Sequence, residues 1–207
     1  MKNCLTQEIQ KLELAVAGTD WENPLIYGNY LAQTYYYVCH STRLLGLAAS
    51  HFQIDRDTLH RRFALHMGEE KSHERLALTD LRNLGQQLSH HPEQSATRAF
   101  YESQYYKVQY QDATALFGYI LLLEAAAVQL GPKIHRRIAK AHGEKCGNFL
   151  RVHAEEDVAH VDKALEQIGG LPERQLQFIT INMIQTADVF VAMVQSLARP
   201  ARLHLAS

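Results

Sequence analysis

Several features that define special classes of protein are scarce in this sequence. It contains only three cysteines, Cys4, Cys39 and Cys146, and their wide spacing forms neither a disulfide framework nor a zinc motif. The formal net charge is −1, which gives no electrostatic reason to expect a nucleic acid or an anionic membrane as a partner. The longest apolar runs are far shorter than a membrane span, and the N-terminus has no apolar signal core. We therefore expect a cytoplasmic protein that contacts neither nucleic acid nor membrane.

The rest of the composition is that of a globular protein. Hydrophobic residues make up 46% and charged residues 21% of the 207 positions, which is enough apolar material for a buried core. The chain shows no internal repeat, low-complexity segment or linker, so we expect residues 1–207 to form one domain. Histidine is unusually frequent, with twelve residues, and so is tyrosine, with ten.

Helix breakers and capping residues divide the chain into helical lengths. No segment alternates polar and apolar residues with a period of two, so the sequence predicts an all-α bundle of six to eight helices. Gly131-Pro132 is expected to break or kink a helix. The helices are expected over residues 6–16, 24–52, 55–85, 92 or 95 to 107, 112–130, 145–168 and 172–198.

The predicted helix over residues 145–168 carries two imidazoles and a carboxylate in the middle of its apolar stripe. At 100° per residue, His153, Asp157 and His160 share a face with Phe149 and Ile168. Burying these polar groups without partners would cost on the order of 2–7 kcal/mol each. A metal ion removes that cost, because it supplies charge for the carboxylate and binds the imidazole lone pairs. A hydrogen-bonded His–Asp pair in the core is the competing interpretation.

Two other predicted helices bury the same kinds of group. Glu70 and His73 interrupt the apolar stripe of the helix over residues 55–85. Glu124 has apolar neighbours on every side of its helix, so no rotation of that helix exposes it. His66, Glu69 and Glu74 remain rival ligands. Three carboxylates with three imidazoles suit iron or manganese better than structural zinc, and they suit two ions better than one.

The spacing of these residues resembles that of the haem-oxygenase-like diiron oxidases and oxygenases, in the superfamily that includes the TenA/THI-4 proteins. That family has a Glu and a His on one core helix, a lone Glu on the next, and His-x3-Asp-x2-His on a third. The matching residues of this chain lie within a resemblance that covers roughly residues 25 to 198. They are Glu70, His73, Glu124, His153, Asp157 and His160.

The resemblance implies a helical haem-oxygenase-like (TenA-like) fold and a redox enzyme in which two iron ions activate O2. The substrate implied is a small organic molecule of the fatty-acid, amino-acid or amine type. A manganese–iron pair stays open, and a homodimer could form. The alternatives are a TenA-like thiamin-pathway hydrolase, which needs a pocket cysteine, a ferritin-like iron store, and a non-enzymatic metal- or ligand-binding domain.

The inferred chemistry predicts two properties of the site without its metal. A substrate needs room, so we expect a cavity lined by apolar and tyrosine side chains beside the ligands. Carboxylates crowded in a low-dielectric interior cannot all stay ionised, so we expect the pKa of at least one to be raised and the pKa of Glu124 or Asp157 to be strongly perturbed.

Overall fold

The computed structural model describes residues 1–198, apart from the side chains of residues 156–160. Within that range all regular structure is helical and no strand occurs, as the sequence predicted. The described range contains nine α-helices, which are α1 (Lys2–Ala17), α2 (Pro24–Val38), α3 (Ser41–Ser50), α4 (Asp57–Glu69), α5 (Glu74–Asn83), α6 (Ser95–Tyr110), α7 (Leu116–His142), α8 (Asn148–Ile168) and α9 (Glu173–Ser196).

The predicted helix over residues 24–52 is divided into α2 and α3. The chain tightens at the junction, where the His40 N–H donates to the Tyr37 carbonyl three residues back. The His40 ring stacks on Tyr101 of α6 at 3.8 Å, and its Nδ1 lies 2.9 Å from the Tyr105 hydroxyl. These long-range contacts favour a break at a position where the local sequence alone shows none.

The predicted helix over residues 55–85 is also divided, because α4 ends at Glu69 and α5 begins at Glu74. Ser72 lies in this junction with φ of 73°, in the left-handed region that few residues other than glycine adopt. Glu70 and His73 are therefore in the connection between two helices, and not within one helix as the sequence predicted. A non-glycine residue with positive φ persists only where the surrounding contacts fix it, and such residues cluster at functional sites.

The central helix α7 continues through Gly131-Pro132, so the break predicted after Leu130 was wrong, and the alternative of a kink stays a prediction. Pro132 cannot donate a backbone hydrogen bond, which costs the helix one internal bond. Tertiary packing outweighs that loss, since α7 packs more extensively against α8 than any other two elements pack together in the described range. Gly131 lies at this contact, where a Cβ would be 3.4 Å from the Ala154 Cβ.

Helix α7 also forms the middle of the hydrophobic core. Its Leu121 and Leu122 are fully buried, and α9 packs against its N-terminal half. Gly118 permits that approach, because a Cβ there would be only 2.2 Å from the Ile179 carbonyl oxygen. The packing of the helices brings the junction of α4 and α5 next to the first turns of α8, where the His73 Nδ1 lies 3.2 Å from the His153 Nε2.

Two segments of the described range are long and apolar enough to cross a membrane by length and composition, residues Ala113–His142 and Glu173–Ser196. The most apolar window of the first is 78% buried inside the fold. Burial of that extent is what the core helix of a bundle shows, so the length and composition of α7 carry little weight for a membrane span.

Candidate metal centre

Helix α8 presents His153 with a defined orientation. Its Nδ1 lies 2.9 Å from the carbonyl oxygen of Phe149, one turn earlier on the helix. The carbonyl can only accept, so Nδ1 carries the proton and Nε2 keeps its lone pair. A backbone carbonyl that fixes the tautomer in this way is the usual support of a metal-binding imidazole.

Asp80 of α5 holds the start of α8 in place. Its carboxylate accepts hydrogen bonds from the Phe149 N–H at 2.7 Å and from the Asn148 side-chain amide at 3.0 Å. No residue at the start of α8 caps its own helix through a side chain, so the cap comes from another helix. The pKa of Asp80 is raised by burial, although the hydrogen bonds from α8 oppose that shift. Asp80 thereby ties the helix of His153 to the helix that follows His73.

Glu70, His73 and His153 form one group of metal-ligating atoms. One carboxylate oxygen and two ring nitrogens lie within 4.8 Å of one another. The His73 Nδ1 is 3.2 Å from the His153 Nε2 and 3.8 Å from the Glu70 Oε1. The structure thus brings together three of the residues that the sequence predicted, from the α4–α5 junction and from α8.

His66 connects this group to Glu124 of α7. The His66 Nε2 lies 3.7 Å from the Glu70 Oε1 and 3.3 Å from the Glu124 Oε1. Both His66 and Glu124 are buried. The sequence predicted His66 only as a rival ligand. Its position between the carboxylates of Glu70 and Glu124 depends on the tertiary structure.

The pKa of Glu70 is lowered, whereas the perturbed pKa expected at Glu124 or Asp157 stays a prediction. Burial raises the pKa of Glu70, but the neighbouring His66, His153 and His73 imidazoles oppose burial and leave the pKa below its ordinary value. Imidazoles lie close to the Glu70 carboxylate, so burial does not leave its pKa raised. Glu70 is therefore ionised at neutral pH, which is the form that binds a cation.

Besides Glu124 and His66, two predicted ligands and two rival ligands are outside this group, for different reasons. The side chains of Asp157 and His160 lie outside the described residues, so their role stays a prediction. Glu69 faces the Arg62 guanidinium, at 3.8 Å, and Glu74 faces that of Arg75, at 3.7 Å.

A cavity of about 110 Å³ adjoins the group, as expected for an enzyme site. His66, Glu70, Glu124 and His153 form its polar wall. The rest is almost entirely apolar, with residues of α7 from Leu116 to Ile134 along its length. Three tyrosines, Tyr30, Tyr37 and Tyr119, and one serine, Ser41, add hydroxyl groups.

The cavity tyrosines remain protonated. Burial raises the pKa of Tyr30 to about 12 and that of Tyr37 well above its ordinary value. Burial raises the pKa of Tyr119 as well. Each therefore offers a neutral hydroxyl that can donate a hydrogen bond, and none adds negative charge beside Glu70 and Glu124.

The donor set fits a resident metal ion. Nitrogen and oxygen ligands of one ion bind at ~2.0–2.2 Å, so two of them lie at most about 4.4 Å apart. The three atoms of Glu70, His73 and His153 would have to close by only a few tenths of an ångström to share an ion. A carboxylate with two imidazoles and no thiolate is typical of non-haem iron sites.

Comparisons with known proteins agree with this arrangement. Residues 28–196 match the model of a family described as iron-containing redox enzymes. No curated protein matches the chain.

Three solved structures share the fold at low sequence identity. A domain of unknown function with a haem oxygenase-like fold from Shewanella denitrificans is 15% identical, with a TM-score of 0.84 over 100% of this chain and 99% of that one. A TenA homologue from Pseudomonas syringae pv. tomato is 16% identical, with a TM-score of 0.76 over 93% and 91% of the two chains. A TenA homologue from Pyrococcus furiosus is 10% identical, with a TM-score of 0.64 over 95% of each chain.

These matches confirm the fold and the resemblance that the spacing of the ligands indicated. The family match covers most of the chain, including Glu70, His73, Glu124 and His153. The protein has the haem oxygenase-like fold and belongs to the family of iron-containing redox enzymes.

Proposed function

We propose that this protein is a non-haem diiron oxidase or oxygenase that uses O2 to oxidise a small, largely apolar organic molecule. The observation that carries the proposal is the group of Glu70, His73 and His153, of which Glu70 and His153 lie in the wall of an apolar cavity. Ferrous ions bound there would supply the electrons that activate O2, a task that amino-acid side chains alone do not perform.

Six residues would hold the two ions. Glu70, His73 and His153 form the described part of the set, and Glu124 lies next to it across His66. Asp157 and His160 complete the set by their spacing on α8, one and two turns beyond His153. A set of three carboxylates and three imidazoles neutralises most of the charge of two ferrous ions, which suits a site in a dry interior.

The protein matrix would orient the ligands and exclude water. The carbonyl of Phe149 fixes the tautomer of His153, and the lowered pKa of Glu70 keeps its carboxylate ready to bind a cation. The apolar wall formed by α7 would hold the substrate against the ligands without offering competing polar groups. Tyr30 and Tyr37 keep their protons, so they do not act as bases at neutral pH.

A TenA-like hydrolase is the first alternative, and the two TenA homologues among the structural neighbours make it worth testing. Such chemistry needs a cysteine in the pocket. No cysteine is among the described residues that line the cavity, and the Cys146 thiol lies against the His142 carbonyl oxygen at 3.3 Å. The redox function is better supported, because the cavity wall carries imidazoles and carboxylates instead.

A non-enzymatic binding domain is the second alternative. That reading predicts ligands packed tightly in the core, with no space for a substrate. The cavity next to Glu70 and His153 favours an enzyme. Cytoplasmic location, a homodimer and the absence of nucleic-acid or membrane partners stay predictions.

Oxygen uptake tests the proposal. The protein is loaded with ferrous iron without oxygen, freed of excess iron, and mixed with air-saturated buffer in an oxygen electrode. We expect rapid O2 uptake that is lost in His153→Ala and kept in His51→Ala, whose imidazole is exposed and contacts Gln109. Uptake no faster than that of the same concentration of free ferrous iron would contradict the proposal.

A further inference from the structure

Tyr119 is a cavity residue whose hydroxyl has no role in the fold. It lies on α7, one turn and a half before Glu124, and its side chain lines the cavity. The residue is 4% exposed, and its ring packs against Phe100 at 5.1 Å. The ring therefore has one fixed position, which the core determines.

The hydroxyl of Tyr119 is buried and has no hydrogen-bond partner among the described residues. Other tyrosines of the bundle are paired: Tyr27 donates to the Cys146 carbonyl, Tyr36 donates to the His91 carbonyl, and the Tyr105 hydroxyl lies 2.9 Å from the His40 Nδ1. An unpaired buried hydroxyl destabilises a protein, and most buried polar groups are satisfied. A phenylalanine would fill the same space without that cost, so the hydroxyl indicates a ligand.

Tyr119 lines the same cavity as two carboxylates of the candidate metal centre, Glu70 and Glu124. Burial is the main cause of the raised pKa of Tyr119, and the negative potential of the nearby Glu70 carboxylate is the next. A molecule that accepts a hydrogen bond from Tyr119 would therefore lie beside the carboxylate of a proposed iron ligand. That is the position a substrate needs for oxidation.

The charge of the cavity wall restricts the chemistry of the acceptor. No lysine or arginine is among the described residues that line the cavity, whereas Glu70 and Glu124 are both present. An anionic group would have no cationic side chain to pair with there, and a neutral oxygen needs only a donor. The remaining walls are apolar and favour a hydrocarbon body.

We propose that Tyr119 donates a hydrogen bond to a neutral carbonyl or hydroxyl oxygen on an otherwise apolar substrate, and that this contact fixes the substrate against the metal centre. Tyr119 is thereby a specificity-determining residue. The inference rests on the proposed function, because the bound molecule is a substrate only if the protein is an oxidase or oxygenase. The hydrogen bond from Tyr119 can be tested without iron or O2.

Binding of 2-heptanone to metal-free protein tests the contact, because this ketone combines one neutral oxygen with an apolar chain. Calorimetric titration compares the wild type with Tyr119→Phe and with Tyr37→Phe as the matched control. Tyr37 lines the same cavity and is equally buried, but the Thr34 hydroxyl lies beside its own. We expect Tyr119→Phe to weaken binding about tenfold, the usual worth of one hydrogen bond in a buried site, and Tyr37→Phe to leave it unchanged.

Thermal unfolding of the ligand-free variants gives a second readout. Tyr119→Phe removes an unpaired hydroxyl, so we expect its melting temperature to equal or exceed that of the wild type. Tyr27→Phe removes a hydroxyl that bonds the Cys146 carbonyl, and its melting temperature should fall. A clear fall in Tyr119→Phe would mean that the hydroxyl is already paired within the fold and would overturn the inference.

The titration also has results that would overturn the inference. These are no binding of 2-heptanone to the wild type, equal affinity in the wild type and Tyr119→Phe, or an equal loss in Tyr37→Phe. The proposed function fails separately. Binding that depends on Tyr119 in a protein that takes up no O2 would keep this contact and reject the redox activity.

Discussion

The Nδ1 atom of His73 lies 3.2 Å from the Nε2 atom of His153, although 80 residues separate the two in the chain. Two ring nitrogens at this distance must share one proton or one cation between them. Because His153 commits its own proton to the Phe149 carbonyl, its Nε2 is an acceptor. Next to the ionised Glu70, such a pair is arranged for a positive ion.

The assignment of Glu70 as a metal ligand, instead of its neighbour Glu69, can be tested by comparing one variant of each. Glu70→Gln should lower iron binding strongly, because the amide has no charge and the ionised carboxylate is part of the three-residue group. Glu69→Gln should leave iron binding almost unchanged, since Glu69 faces Arg62. Iron content after anaerobic loading and desalting measures both. The reverse order of losses would exchange the two assignments.

Asp80 should affect the metal centre without touching it. Asp80→Asn keeps one acceptor for α8 and loses the other, so we expect a loss of stability of about 1 kcal/mol, as for other helix caps. We also expect weaker cobalt binding, measured from the visible absorption of the bound ion, because the position of His153 depends on the start of α8.

Asp112 provides the matched control for Asp80. It caps the turn before α7 by accepting from the Thr114 N–H at 2.9 Å and from the Thr114 hydroxyl at 2.6 Å. Asp112→Asn should therefore lower stability to a similar degree and leave cobalt binding unchanged. An unchanged cobalt affinity in Asp80→Asn as well would show that its cap serves the fold alone.

The contact of α7 with α9 predicts a difference between two glycines of the same helix. Gly118→Ala would place a methyl group 2.2 Å from the Ile179 carbonyl oxygen and 2.8 Å from the Met183 nitrogen, which forces the two helices apart. We expect a loss of about 1–3 kcal/mol in the free energy of unfolding, or more if the backbone cannot shift. Gly131→Ala meets its nearest atoms at 3.4 and 3.5 Å and should be tolerated. Equal melting temperatures would contradict the close packing of α9.

Acid should weaken the link between the α1–α2 loop and α7. The hydrogen bond from Arg137 lowers the pKa of Glu22 to about 2 from 4.5. A lowered pKa stabilises the folded state fully above pH 4.5, and this contribution disappears as the pH falls toward 2. The pair is half exposed, so its worth is at most about 1 kcal/mol. Thermal unfolding of wild type and Glu22→Gln should differ at pH 6 and converge near pH 2; a constant difference would argue against the link.

The sequence was most informative where ionisable side chains recur with helical spacing on the apolar face of a helix. The spacing of His153, Asp157 and His160 along an apolar stripe predicted a buried polar face of α8, and the structure places His153 beside Glu70 and His73. Helix existence and class were predictable because the chain lacks period-two segments. The breaks in two of the predicted helices were not, since His40 stacks on the distant Tyr101 and Ser72 adopts a positive φ that no local sequence pattern indicates.

Parts of the site depend on partners that no local pattern reveals. The sequence analysis did not single out Asp80, because its role depends on the position of Phe149 69 residues later. One signal could have found it: Gly147-Asn148 offers a poor cap for α8, so a cap from elsewhere was needed. No sequence pattern predicts the unpaired hydroxyl of Tyr119, because the packing of the helices determines which tyrosine hydroxyls form hydrogen bonds.

Counting the ferrous ions that the protein binds tests the central claim most directly. Metal-free wild type is titrated with ferrous iron under anaerobic conditions, and bound iron is measured after removal of the excess, alongside His153→Ala. The account predicts two ions per chain in the wild type, a reduced number in the variant with an unchanged circular dichroism spectrum, and an optical change when O2 is admitted to the wild type. One ion per chain, or iron binding that His153→Ala does not alter, would contradict it.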